Sequence, residues 1–230
     1  TEIYTLSLHD ALPISGVRSG VWRSVQAVEG RDNPGVQGGI VPEVVIPIFT
    51  PRLLLRELRE SDILAVQSYA GDDEVVRYCS FGPNEIDDTA AFILDAIARV
   101  QDKTRTFYTF AIESRETGCF IGCCGLGEIS MPNLRGELGY VLDKPFWGHG
   151  YATEAAGALL SLAFDQLELH RVYARAAVEN RASQRVLEKL GMVCEGVLRD
   201  DFFARGRWFS SVVYGILREE FEKQQGLPRQ

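Results

Sequence analysis

The chain has 230 residues, 46% of them apolar and 24% charged, and 24 Lys and Arg against 32 Asp and Glu give it a formal charge of −8. That length holds one large domain or one ordinary domain with tails, and the apolar share suffices for a globular core. The acidic balance argues against a general affinity for nucleic acid or anionic membranes, which reward a basic face, and no run of about 18 apolar residues offers a membrane span.

Residues 1–47 read as a leader. The first methionine is Met131, residues 5–15 (TLSLHDALPIS) resemble the translation of a sequencing-library adapter, and residues 16–43 have no steady period. They lack the apolar stretch of a signal peptide, so the leader is expected to be disordered or foreign to the fold. The domain is placed at 48–224 and a tail at 225–230.

From Thr50 the pattern becomes regular. LLLREL (Leu53 to Leu58) predicts a buried strand, and a helix capped by Ser61 is expected to run to Tyr69 and end at the acidic GDDE. Ala90, Ile93, Leu94, Ile97 and Val100 recur at helical spacing, predicting a second helix. TFYTFAIES and CFIGCCGLGEI predict two strands of a hairpin turning at residues 116–118, and Gly136 to Leu142 another strand. ATEAAGALLSLAFDQL predicts a helix with Ala155, Leu159, Leu162 and Ala163 on one face. His170 to Val178 alternates as a strand, and a helix follows, capped by Asn180 and closed by Gly191. Strands at Val193 to Arg199 and Arg207 to Leu217 end the pattern, joined by DDFFARG. The sum is a single α/β domain, a mixed and mostly antiparallel sheet flanked by helices. The five cysteines show no metal-ligand spacing, and Cys119, Cys123 and Cys124 read as small buried thiols in a reducing cytoplasm.

The stretch with chemical content is WGHGYATEA, Trp147 to Ala155, between a strand and a helix. A glycine-rich turn entering a helix leaves several N–H groups aimed at one spot beside the positive helix end, which forms an anion site. A nucleoside-triphosphate loop would need Lys and then Ser or Thr after the last glycine, but Tyr151 and Ala152 stand there; a dinucleotide loop would need a third glycine where Thr153 stands.

Four segments in register resemble the GNAT superfamily of acyl-CoA N-acetyltransferases, and within it the branch acting on ribosomal-protein N-termini: TPRLLLREL, GELGYVLDKPFWGHGYATEA, HRVYARAAVENRASQRVLEKLGM and EGVLRD. The resemblance covers roughly Thr50 to Phe221 and implies the acyl-CoA N-acyltransferase fold. It implies that the backbone of Trp147, Gly148, His149, Gly150, Tyr151, Ala152 and Thr153 binds the CoA pyrophosphate. Tyr140, Val141 and Leu142 would line the pantetheine arm, and Asn180 and Ser183 would lie beside it. Arg185, on one helical face with Arg181 and Lys189, would meet a terminal phosphate. No metal is implied.

An ammonium must lose a proton before it attacks a thioester. By resemblance Glu137 is the general base and Ser183 matches a serine near the departing sulfur; the tyrosine that many members use as acid is replaced by Leu187. Acceptor contacts would come from Asp72, Asp73, Glu74, Glu85, Asp87, Asp88, Asp200 and Asp201, with Phe81, Phe202, Phe203 and Trp208 as walls. The expected activity is acetyl transfer from acetyl-CoA to a primary amine in a ternary complex, by a monomer or homodimer in the cytoplasm. The preferred acceptor is a ribosomal or other protein N-terminus. A small amine such as a polyamine, amino acid or aminoglycoside is the alternative acceptor, and a CoA-binding module without turnover the alternative class.

Overall fold

Alternation of side chains builds the middle of the fold: Tyr108, Phe110 and Ile112 point into one apolar cluster and Ala111 into another on the opposite face. The computed structural model describes residues 5–6, 44–102 and 104–226. Its strands are β1 (Thr5–Leu6), β2 (Ile48–Phe49), β3 (Leu53–Glu57), β4 (Tyr108–Ser114), β5 (Phe120–Ser130), β6 (Arg135–Leu142), β7 (Arg171–Ala177), β8 (Val193–Ala204) and β9 (Arg207–Leu217). Its helices are α1 (Ile63–Ala70), α2 (Ile86–Val100), α3 (Tyr151–Ser161), α4 (Arg181–Lys189) and α5 (Arg218–Gln224).

The sheet runs β2-β3-β4-β5-β6-β7-β9-β8, with β1 set against β6. Among the described pairings only β6 and β7 are parallel, and they stay in register just over Arg135–Glu137 against Arg171–Tyr173. Beyond that point the two strands part, and the edge of β6 at Tyr140 and Val141 pairs instead with Leu6 and Thr5.

Helices cover both faces. Ala152, Ala155 and Leu159 of α3, Val186 and Leu187 of α4 and Phe221 of α5 pack with Leu138, Tyr140 and Leu142. Val66 and Tyr69 of α1 and Phe92 and Ile93 of α2 pack with Ala111, Cys123 and Val141 on the other side. Truncating a fully buried leucine in such a core costs about 2–5 kcal/mol. The expected mixed, mostly antiparallel sheet flanked by helices is therefore the observed one.

Several local expectations change. Ser61 does not cap α1: a short 3-10 turn, Glu60–Asp62, precedes the helix, and Asp62 accepts from the Arg59 amide at 2.8 Å. Arg56 holds the same Asp62 carboxylate at 2.8 and 2.9 Å, so the helix start is tied to β3 by a buried ion pair. DDFFARG is not a loop, because β8 runs on to Ala204 and only Arg205 and Gly206 turn the hairpin, both at positive φ. Cys119 is exposed just before β5, whereas Cys123 and Cys124 are buried as expected. Helix α5 escaped sequence reading because REEFEKQ carries a single apolar anchor, Phe221. The expected leader falls outside the described residues apart from Thr5, Leu6 and residues 44–47.

Candidate active site

The turn between β6 and α3 begins with Asp143 capping a 3-10 turn over Lys144–Phe146. Trp147 belongs to the scaffold: its amide donates to the Lys144 carbonyl at 3.2 Å and its indole Nε1 to the Leu142 carbonyl at 2.8 Å. The amide row expected from Trp147 onward therefore starts one residue later. From 148 to 153 no amide donates to an acceptor among the described residues, and the next, Glu154, opens the helical ladder onto Gly150. Gly148 and Gly150 have φ of +78° and +80°, which glycine alone adopts without strain. A side chain at Gly148 would meet no protein atom within 4 Å, so the space beside it is open.

That open space is a cavity of about 320 Å³ lined by the turn and by α4. Gly148, His149, Gly150, Tyr151, Ala152 and Thr153 supply one wall, and Ala182, Arg185, Val186 and Lys189 the other. Arg181, third of the basic row, turns aside to bond Gln184 at 2.8 Å and is absent from the lining. Free amides, a helix N-terminus and two cationic side chains around one cavity are what a phosphorylated ligand requires.

A clamp unread in the sequence fixes this turn. Glu154, on the first turn of α3, accepts from the Thr50 hydroxyl at 2.6 Å, the Arg52 amide at 2.8 Å and Arg52 Nε at 2.6 Å. Arg52 Nη1 also donates to the His149 carbonyl at 2.9 Å. Burial pushes the Glu154 carboxyl up, but the bonds from Thr50 and Arg52 outweigh it and hold the group below its ordinary value. Thr50 and Arg52 were legible only as the edge of a strand.

Where β6 and β7 part, Tyr140, Val141 and Leu142 are buried and present a strand edge able to pair with an extended chain, as Thr5 and Leu6 do. Across the gap Asn180 caps α4 as expected, its side chain accepting from the Ser183 amide at 3.2 Å; both residues are buried.

On the sheet face toward α1 and α2 lies a charged cluster. Glu137, 4% exposed, takes Arg175 Nε and Nη2 on its two oxygens at 2.8 Å each. Arg175 Nη2 also reaches Glu128 at 3.2 Å, and the Tyr173 hydroxyl donates to the other Glu128 oxygen. Burial raises the Glu137 carboxyl above its ordinary value; Arg175 opposes this, while the charges of Glu128 and Asp201 add to it. Glu128 and Asp200 hold φ of +48° and +49°, each within a strand irregularity flanking this cluster. Such bulges re-aim side chains and recur beside active sites.

Three of the expected acceptor carboxylates are occupied elsewhere. Asp72 accepts from the Glu74 amide at 2.8 Å, Glu74 pairs with Lys144, and Asp88 caps α2 through the Glu85 amide at 3.1 Å. Phe203 and Trp208, each 58% exposed, meet edge to face on the surface, so they wall nothing. Phe202 does turn inward, stacked on Phe209 beside Ala177. Burial pushes the Cys123 thiol up to about 12, which makes it a poor nucleophile. No group of three metal-ligating side chains exists among the described residues, and no described helix is long and apolar enough to cross a membrane.

A sheet opened between two parallel strands, with an amide-lined turn at the mouth of the opening, defines an acyl-CoA-dependent transferase. The acetyltransferase (GNAT) domain matches residues 52–193, and the chain belongs to that family. It is 34% identical over 180 residues to a protein of Bacillus licheniformis named as the uncharacterized N-acetyltransferase p20, across 76% of this chain and 97% of that one. A crystal structure of a GNAT-family acetyltransferase from Bacillus anthracis superposes with a TM-score of 0.67 at 29% identity, covering 76% and 99% of the two chains. The YdaF protein of Bacillus subtilis, whose name provisionally assigns it ribosomal N-acetylation, is 37% identical over 105 residues, 46% of this chain and 57% of that one. The chain is an acetyl-CoA-dependent N-acetyltransferase.

Proposed function

We infer that residues 148–153 hold the pyrophosphate of acetyl-CoA and that the acceptor is a protein or peptide N-terminal amine, entering from the face that carries Glu137. The observation that carries this reading is the row of six undonated amides lining the cavity shared with Arg185 and Lys189. Trp147 serves there by packing, not through its amide. Tyr140, Val141 and Leu142 offer main-chain groups to the extended arm, which displaces Thr5 and Leu6 from the same edge. Asn180 holds the first turn of α4 beside that arm.

Each oxygen of Glu137 accepts one bond from Arg175, and a carboxylate has about four lone-pair sites, so Glu137 keeps capacity for a proton. The amine gives up a proton toward Glu137, its nitrogen bonds to the thioester carbon, and the carbon–sulfur bond breaks. Ser183 lies on the α4 side of the gap, where its hydroxyl donates to the departing thiolate. A thiol pKa near 8.5 makes this leaving group tolerable with little help. Backbone N–H groups along β6 stabilise the oxyanion, the largest single electrostatic contribution in acyl transfer.

The test is release of free CoA thiol from acetyl-CoA across a panel of peptides with different N-termini, polyamines, amino acids and aminoglycosides. Turnover fastest with peptides supports the reading; turnover confined to a small amine replaces the acceptor. CoA at about 100 times its Kd should add roughly 2.7 kcal/mol of stability, and a protein unmoved by CoA defeats the reading outright.

The clamp behind the loop gives a separate expectation. Glu154→Ala frees the turn and should raise the acetyl-CoA KM about tenfold while lowering stability by about 1.5–3 kcal/mol, the worth of a charged hydrogen bond lost. Because the Glu154 carboxyl is held below 4.5 in the fold, its contribution is complete above the unfolded value and disappears as pH falls through the folded one. Urea titrations of both proteins at neutral and acid pH should therefore converge on the acid side. A gap that stays constant would show that Glu154 does not act through its charge.

A further inference from the structure

We propose that Asp201 is the specificity residue that receives the acceptor's ammonium group and sets it beside Glu137. The proposal rests on the acetyltransferase reading and singles out one of the eight carboxylates expected on the acceptor side, giving it a defined role. Residues 193–200 of β8 are all exposed, yet at the next position the strand turns inward, and Asp201 Oδ2 is shut off from solvent with no hydrogen-bond partner. The break in register between Leu198 and Phe202, with Asp200 at φ +49°, is what re-aims this side chain. Phe202 packs with Ala177 of β7, which brings Asp201 to the end of the strand that carries Arg175, and its charge acts on both Glu137 and Arg175.

A buried carboxylate oxygen without a partner calls for an explanation, since desolvating such an atom is costly unless something satisfies it. The neighbouring cation does not serve it: Arg175 spends Nε and Nη2 on Glu137 and Glu128 and makes no bond to Asp201 Oδ2. Of the three carboxylates in the cluster, Glu137 is held by Arg175, and Glu128 by Arg175 and Tyr173. Asp201 is left to meet an incoming positive donor. A primary ammonium has the required sign: it can donate a hydrogen bond to Asp201, and of its three protons one goes toward Glu137, one passes to the departing thiolate and one stays on the product amide. Charge-assisted bonds of this kind are about twice as strong as neutral ones.

The experiment compares the full chain with Asp201→Asn and Asp201→Glu, using an alanine-initiated peptide and spermidine as probes. Calorimetric binding of each probe is measured alongside steady-state kinetics. Asp201→Asn should weaken probe binding and raise the acceptor KM at least tenfold. The acetyl-CoA KM should stay within twofold and the melting temperature near that of the parent. Asp201→Glu, which keeps the charge, should recover most of the loss. Acceptor binding unchanged in Asp201→Asn overturns the proposal, as does an equal rise in both KM values or a failure of Asp201→Glu to recover binding. A parent protein that binds neither probe also overturns it. Probe binding that depends on Asp201 in a protein without turnover instead defeats the enzyme reading and supports this one.

Discussion

Replacing Gly150 by valine should raise the acetyl-CoA KM by about two orders of magnitude and leave the amine KM almost unchanged. Two independent costs arise, one on the fold and one on binding. Gly150 sits at φ +80°, at the N-cap of α3, and a β-branched residue forced into that region costs on the order of 1–3 kcal/mol. The new side chain would come 3.5 Å from Arg52 Nη2, and the branches beyond its Cβ would enter the space where the ligand's phosphates approach the amides. Losing about two charged hydrogen bonds at about 1.5 kcal/mol each costs about 3 kcal/mol, which is the hundredfold rise in KM, while the backbone strain lowers stability in the free and bound enzyme alike. Gly150→Ala separates the contributions, because it keeps the conformational cost but adds little bulk. Initial rates over a matrix of both substrates give the two KM values. A Gly150→Val enzyme whose acetyl-CoA KM lies within threefold of the parent would remove the turn from the binding site.

The turn was legible because its chemistry is local. Two glycines, a helix start and the strand before it lie within one stretch of sequence, so the backbone geometry follows from residue types alone. The cap at Asn180 and the left-handed Gly191 were legible for the same reason. Contacts between distant segments were not. Glu154 is more than 100 residues from Thr50 and Arg52, and nothing in either neighbourhood announces the clamp. Glu137 could be placed on a strand, but its guanidinium partner lies 38 positions away, and pairing needs the parallel register of β6 with β7. The reading of Ser61 as a cap failed because Asp62 was drawn into a buried ion pair with Arg56, a tertiary demand that overrode local preference. The acidic residues show the same limit: sequence lists eight carboxylates with equal claims, and only the fold assigns Asp72, Glu74 and Asp88 to turns, caps and an ion pair. Bulges decide the remaining case, since alternation cannot foresee that β8 reverses its exposure at Asp201.

Glu137→Gln should lower kcat by 100- to 1,000-fold while leaving the acetyl-CoA KM within about twofold, the range expected for loss of a positioned general base. Glutamine is the informative replacement because its amide oxygen still accepts from Arg175. Alanine would leave the guanidinium with Glu128 as its remaining carboxylate partner, and breaking a buried pair in this way costs about 3–5 kcal/mol, enough to confuse folding with chemistry. The pH dependence adds a sign. Burial holds the Glu137 carboxyl above 4.5, so the acid limb of kcat/KM should lie above the ordinary carboxylate range and vanish in Glu137→Gln. A carboxyl raised by folding binds its proton more tightly in the native state, so its contribution to stability is complete below the unfolded pKa and diminishes as pH rises through the folded one. The stability of Glu137→Gln relative to the parent should therefore improve from pH 4 to pH 7. Movement the other way would mean that the attraction of Arg175 outweighs burial; the limb would then fall below the ordinary range, and another group, Glu128 or a water held by it, would have to take the amine's proton.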